Sequence, residues 1–273
     1  VKQIIREMRK EARGFAVAAL LTASTVSEKA EDFLIGTRGP TPLQFDHGVN
    51  YIRKETQSGA SDNFIQSNVV KYWTGKELGF FAIGALPYKF LKSRDTESSG
   101  FGDLTLKLGP RGTIDLHNFG SFHWIAAAGT AIPLGDTDTK PALGTGRYDF
   151  KGGFTTTYLS HDKKDEMTTA FEYNKPLTLH NGKPASDEIN AGFIVGKKLN
   201  DNWRIGAGLR GTYKIREKDD GDYITKARIL ARYTFSKNPM WHIEIIGDKS
   251  IKTKYMPDET MGSILIRYNF GKK

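Results

Sequence analysis

The sequence predicts an all-β fold, a transmembrane antiparallel up-and-down β-barrel of about 12 strands preceded by a signal-like N-terminal segment. Three observations carry that expectation. Long segments alternate apolar and polar residues without a fault, aromatic residues stand ten apart at both ends of the apolar faces, and the first residues run from basic to apolar.

The segment 202–216 alternates most cleanly. Trp203, Ile205, Ala207, Leu209, Gly211, Tyr213 and Ile215 share one face, and Arg204, Arg210, Thr212, Lys214 and Arg216 share the other. Period two is the signature of a pleated strand, whose successive side chains point to opposite faces. Residues 222–235 repeat it, with Tyr223, Ala227, Ile229, Ala231 and Tyr233 opposite Lys226, Arg228 and Arg232. So do residues 148–158, and 263–270 with Ile264, Ile266, Tyr268 and Phe270 opposite Arg267. Strands are predicted at 43–54, 62–74, 77–91, 101–109, 119–133, 147–160, 166–175, 187–199, 202–216, 222–235, 240–250 and 260–270.

Length decides between a soluble sandwich and a membrane barrel. Soluble strands usually run about five or six residues, and these segments are roughly twice that. Trp203 with Tyr213, Tyr223 with Tyr233 and Tyr148 with Tyr158 are each ten residues apart. Ten residues span about 33 Å along a strand, which a tilt of about 40–45° reduces to the roughly 25 Å apolar band between the aromatic girdles of outer-membrane barrels. These six aromatics are the predicted girdle residues, in contact with outer-membrane lipid.

The connections are expected to alternate between long outer loops and short periplasmic turns. The outer set is 55–61, 92–100, 134–146, 176–186, 217–221 and 251–259; the inner set is 75–76, 110–118, 161–165, 200–201 and 236–239. Connection 110–118 breaks the trend. Segment 77–91 is apolar on both faces through Phe80, Phe81, Ile83 and Leu86, which implies contact with interior loops or an apolar ligand.

Composition is consistent with this fold and removes other classes. Mean hydropathy is −0.47 and no apolar run approaches the ~18 residues of a membrane helix. Alternating strands hide from such averages. The net charge of +9 invites a nucleic-acid reading, but residues 1–24 contribute +3 and the remainder is dispersed among acids, so no nucleic-acid partner is expected. There is no cysteine, hence neither disulfides nor thiolate metal sites.

Residues 1–30 are read as a signal peptide and short leader, and 31–273 as the barrel. Lys2, Arg6, Arg9, Lys10 and Arg13 precede the apolar run Gly14 to Ala23, and Thr22-Ala23-Ser24 offers small residues for cleavage. The alternative is an amphipathic helix that packs on the barrel or plugs it.

Motifs for chemistry are thin. Gly206-Ala207-Gly208-Leu209-Arg210-Gly211 matches a dinucleotide fingerprint, but strand alternation runs straight through it, leaving no helix N-terminus to hold phosphate. None of His47, His117, His123, His161, His180 and His242 has metal-ligand spacing, and Asp136 and Asp138 lack the rest of a calcium loop. No cofactor or metal is expected. No histidine is followed two positions later by serine, the arrangement by which some lipid-cleaving barrels activate a hydroxyl. The chain is therefore not expected to be an enzyme.

What remains is a basic wall. Arg204, Arg210, Lys214, Lys226, Arg228, Arg232 and Arg267 are predicted to line the interior, with Glu172, Glu244 and His242 also facing inward. One reading is an interior filled by ion pairs, as small barrels require. The other is an electropositive lining that favours anions, with too few acids in Glu172 and Glu244 to neutralise the row.

Three ordered stretches resemble the outer-membrane family labelled "putative MetA-pathway of phenol degradation". They are Phe101-Gly102-Asp103-Leu104-Thr105-Leu106, then Ala131-Ile132-Pro133-Leu134-Gly135-Asp136, then Leu143-Gly144-Thr145-Gly146-Arg147-Tyr148-Asp149. Order and spacing match the family's G-D-L, P-x-G-D and L-G-T-G texts over the middle third of the chain. The resemblance implies an outer-membrane barrel that passes small, including aromatic, solutes, and it supplies no catalytic residues. The expected function is thus an outer-membrane channel or transporter for small aromatic or anionic solutes. The alternatives are a lipid-modifying barrel enzyme and a structural or adhesive barrel.

Overall fold

A computed structural model describes residues 43–56, 59–74, 77–93, 96–177, 186–215, 221–236 and 241–270. Residues 1–30, expected as signal and leader, lie outside the described residues, as do Arg216 and His180.

The strands are β1 (Leu43–Thr56), β2 (Gly59–Trp73), β3 (Leu78–Ser93), β4 (Thr96–Phe101), β5 (Leu104–Asp115), β6 (Gly120–Ile132), β7 (Asp149–Ser160), β8 (Asp165–Pro176), β9 (Asp187–Lys198), β10 (Trp203–Ile215), β11 (Asp222–Thr234), β12 (Trp241–Lys254) and β13 (Asp258–Phe270). Each pairs antiparallel with its neighbour, and β1 closes on β13 from Leu43↔Phe270 to Glu55↔Asp258. Strands β4 and β5 share one position beside β3, β4 pairing its outer part (Tyr88↔Phe101) and β5 its inner part (Leu78↔Gly112). Thirteen strands therefore fill the twelve positions of a closed barrel. Closure leaves no sheet edge to be satisfied in hydrocarbon.

The structure shortens several expected connections, 55–61 and 251–259 among them, because the flanking strands run further, and it corrects two in kind. In place of a loop over 92–100, β3 runs to Ser93 and turns back into β4, where the Thr96 hydroxyl donates to the Ser93 carbonyl at 3.0 Å. In place of a connection over 110–118, β5 continues to Asp115, so a short 3-10 turn at His117–Phe119 suffices. Proline is a poor strand residue because it lacks a donor. Here Pro110 still pairs with Phe80, and the β6 ladder resumes at Arg111↔Ile125. The irregularity among the inner connections disappears. The junctions β2–β3, β5–β6, β7–β8 and β9–β10 fall at the end where β1 begins, and β6–β7 and β8–β9 fall at the opposite end. The first end is periplasmic and the second is outer.

Facing follows the alternation. On β13 exposed and buried residues alternate almost from end to end. Ile229 is 67% exposed on the outer surface while its neighbour Arg228 is 1% exposed inside. A surface of Leu209, Ile229, Ile245 and Ile264 side chains is unfavourable in water and favourable against lipid. Aromatic chains mark the periplasmic rim: Trp203, Tyr233 and Phe235 have ring centroids 5.0 and 5.1 Å apart, and Trp241, Tyr268 and Phe270 repeat this at 4.7 and 4.6 Å. Tyr213 and Tyr223 are register partners at the outer end. Tyr148 lies at the outer end of β7, and Tyr158 at its periplasmic end donates to the Phe119 carbonyl at 2.5 Å. The glycine-rich run of β10 serves close approach: a Cβ on Gly208 would lie 2.0 Å from the Phe193 carbonyl of β9.

Candidate functional site: the barrel interior

The inward faces of β10 to β13 and of β1 and β2 build one wall, and its charges are paired. Arg228 and Asp248 are opposite one another on β11 and β12, and both guanidinium contacts are 2.6 Å. Arg210 reaches the same carboxylate at 3.7 Å. Arg267 bonds Asp46 at 2.8 Å and Glu244 at 3.0 Å, Lys71 reaches Asp46 at 2.6 Å, and Arg232 also bonds Glu244. Lys226 bonds Glu259, which Lys54 approaches at 3.3 Å. Closer to the periplasm Arg204 meets Glu166 at 2.5 Å. Planar guanidinium groups suit such buried carboxylates because two parallel bonds form at once.

The arrangement revises the expected shortage of acids. Glu172 bonds Lys107 of β5, and Glu244 is joined by Asp46, Asp248, Glu259 and Glu166. Asp46 is 221 residues from Arg267 in sequence. Only closure of β1 on β13 brings them together, so alternation within single strands carried no sign of the pair. Carboxylates are shared: Asp248 by Arg228 and Arg210, Glu259 by Lys226 and Lys54, and Glu244 by Arg232 and Arg267.

Beside this wall, from β2 onward to β6, the interior is apolar. Val69 and Trp73 of β2, Phe81, Ile83 and Ala85 of β3 and Ile125 of β6 form a buried cluster. On β3 these alternate with Phe80, Ala82 and Gly84 on the outer surface, so the cluster points inward. The guanidinium of Arg111 lies 5.9 Å from the Trp73 ring, within cation–π range. The doubly apolar character of segment 77–91 was the sequence signal for this wall, although it did not identify Val69, Trp73 or Ile125.

A cavity opens at each mouth. The periplasmic one, about 190 Å³, is lined by Thr157, Glu166, Arg204, Arg232, Thr234 and His242. His242 sits 2.9 Å from the Thr234 hydroxyl through Nδ1. The outer one, about 290 Å³, is lined by Arg147, Asp149, Lys151, Asn174, Glu188 and Lys214, among others. Among the described residues no three His, Asp or Glu side chains gather to hold a metal ion, and no helix is long and apolar enough to cross a membrane. The chain crosses with strands instead.

The family described as "Putative MetA-pathway of phenol degradation" matches residues 23–247. No curated protein sequence matches the chain. Among solved structures, the COG4313 outer membrane channel from Pseudomonas putida F1 is similar with a TM-score of 0.71 at 15% identity, over 90% of this chain and 100% of that one. The CymD monoaromatic hydrocarbon channel follows at 0.51 and 10% identity, over 91% and 94%. The translocator domain of the autotransporter NalP from Neisseria meningitidis reaches 0.53 at 10% identity, over 97% and 98%. At these identities the likeness is one of fold, and the same barrel serves unlike tasks.

Proposed function

The chain belongs to the family described as "Putative MetA-pathway of phenol degradation", and on that premise we propose that it is an outer-membrane channel for small solutes, aromatic compounds among them. One observation carries the reading. The interior is two-sided, with the apolar cluster around Trp73, Phe81 and Ile83 adjoining a wall of paired charges, and a cavity at each mouth. A small aromatic acid or phenol presents the same two sides, a ring that prefers apolar contact and a polar group that prefers fixed cations. The likeness to channels in the barrel's fold supports the reading without naming the solute.

In this reading Arg204, Arg210, Lys214, Lys226, Arg228, Arg232 and Arg267, with Glu172, Glu244 and His242, form the polar side of the path. Tyr148, Tyr158, Trp203, Tyr213, Tyr223 and Tyr233 anchor the barrel in lipid. Residues 1–30 act as signal and leader. No catalytic role is assigned to any of them.

The test is current through the purified protein in a planar bilayer, together with uptake of phenol and benzoate into proteoliposomes. The reading expects current and uptake of at least one compound, reduced by Ile83→Asp. A second reading, a closed structural barrel, is favoured by the burial of Arg228, Glu244 and Asp46. It expects neither current nor uptake, so the same measurement separates the two.

A further inference from the structure

The three motifs of the sequence meet at one side chain. Asp103 sits at the break between β4 and β5 and is fully buried. Its Oδ2 accepts from the Thr145 amide at 2.7 Å and lies 2.7 Å from the Thr145 hydroxyl, and its Oδ1 accepts from the Gly135 amide at 3.2 Å. The motif around Gly102-Asp103 thus grips the other two, which begin and end the long outer connection 133–148. Gly144 fits there for lack of a side chain: a Cβ would stand 2.5 Å from Asp103 Oδ1 and 2.6 Å from the Gly135 carbonyl.

Other contacts hold the same connection against the wall. Lys89 of β3 donates to the Leu143 carbonyl at 2.8 Å, and the Ser98 hydroxyl of β4 donates to the Pro141 carbonyl at 2.5 Å. Leu143 is buried. Lys89 continues the inward row of Phe81, Ile83 and Ala85, so the connection is tied to the inner side of β3 and β4. Beyond Thr145, Arg147 bonds Asp149 at 2.7 Å. Thr145 and Arg147 then line the outer cavity together with the inward side chains Lys151, Asn174, Glu188, Asn190 and Lys214 of β7 to β10. The connection thus folds in at the outer mouth as a strap, tied at β3 and β4 and edging the cavity at Thr145 and Arg147.

We propose that Asp103 is a positioning residue that latches the strap 133–148 at the outer mouth and so sets the largest solute the barrel admits. A buried carboxylate with three donors is a strong, geometrically exact anchor, because charge-assisted bonds are about twice as strong as neutral ones. Removing it frees two amides and a hydroxyl to seek water, and the strap then swings outward. The inference rests on the channel reading above.

The experiment compares the full-length protein with Asp103→Ala and Asp103→Asn. The readouts are single-channel conductance, the size cut-off for neutral sugars in liposome swelling, and hydrogen exchange across 136–146. Asp103→Ala should give severalfold higher conductance, a larger cut-off and faster exchange. Asp103→Asn, which still accepts one of the bonds, should fall between. Heat-modifiable mobility on gels reports folding. If Asp103→Ala fails to fold, Lys89→Met removes a second tether and should shift the cut-off in the same direction. Cross-linking Ser98→Cys with Thr139→Cys by a short thiol reagent should reverse the gain; the natural chain has no cysteine to interfere. Faster exchange with an unchanged cut-off in a conducting protein would overturn the latch while leaving the channel intact. Absence of current in the wild type and in every variant would sink both. A silent wild type opened by Asp103→Ala would support the latch and correct the channel reading to a closed one.

Discussion

Arg228 and Asp248 face each other across β11 and β12 with two contacts of 2.6 Å, and both side chains are shut off from solvent. Arg210 shares the same carboxylate. Asp248→Ala should therefore leave two buried guanidinium groups without their shared acid, at a cost of about 3–5 kcal/mol. Urea unfolding in lipid vesicles measures this. Replacing Arg228 and Asp248 together by Met and Leu should cost less than the single change, because only Arg210, and not Arg228 as well, then loses that acid.

Leu209 stands beside Arg210 but on the opposite face, 39% exposed where Arg210 is buried. Leu209→Arg should destabilise the barrel by roughly 2–4 kcal/mol if position 209 meets lipid near the midplane. The same unfolding assay reads the effect. A water-soluble thiol reagent should leave a cysteine at 209 unmodified in membranes. Ready labelling there would reverse the facing.

Charge selectivity should be modest and toward anions. The basic row is predominantly cationic, but its members share carboxylates, Arg228 and Arg210 at Asp248 and Lys226 and Lys54 at Glu259, so its field is far weaker than a row of arginines without acids would supply. The reversal potential across a KCl gradient should favour chloride. Asp248→Asn should strengthen the preference, and raising salt should weaken it as the screening length falls to about 3 Å at 1 M. A cation-preferring pore would contradict this expectation.

The periplasmic turn after β7 carries a local pH response. The Ser160 hydroxyl donates to Asp162 at 2.7 Å and the Lys164 amide at 3.1 Å. These bonds favour the charged carboxylate and hold its pKa at about 2, below the ordinary 3.8. The turn is thus tightened at every pH above the unfolded value, and the contribution is lost as pH falls from near 4 toward 2. Titration of the Asp162 carboxyl by NMR in detergent should give that low midpoint, and Ser160→Ala should move it upward.

Local periodicity determined most of the fold. Trp203 to Ile215 and Tyr223 to Tyr233 declare their strands and the two faces of each through alternation alone, because a pleat has only two sides. The three motifs around Asp103, Gly135 and Gly144 were legible as text, and the family followed from their order. Their mutual grip was not, since it depends on a carboxylate meeting amides 32 and 42 residues away. The run of β5 through Pro110 likewise needed its neighbours on β3 and β6. The electrostatics of the interior belonged to tertiary structure most of all. Arg267 and Asp46 stand 221 residues apart, and become partners only when the last strand closes on the first. Alternation fixes which face a charge occupies, but the closure and register of the barrel decide which opposite charge it meets.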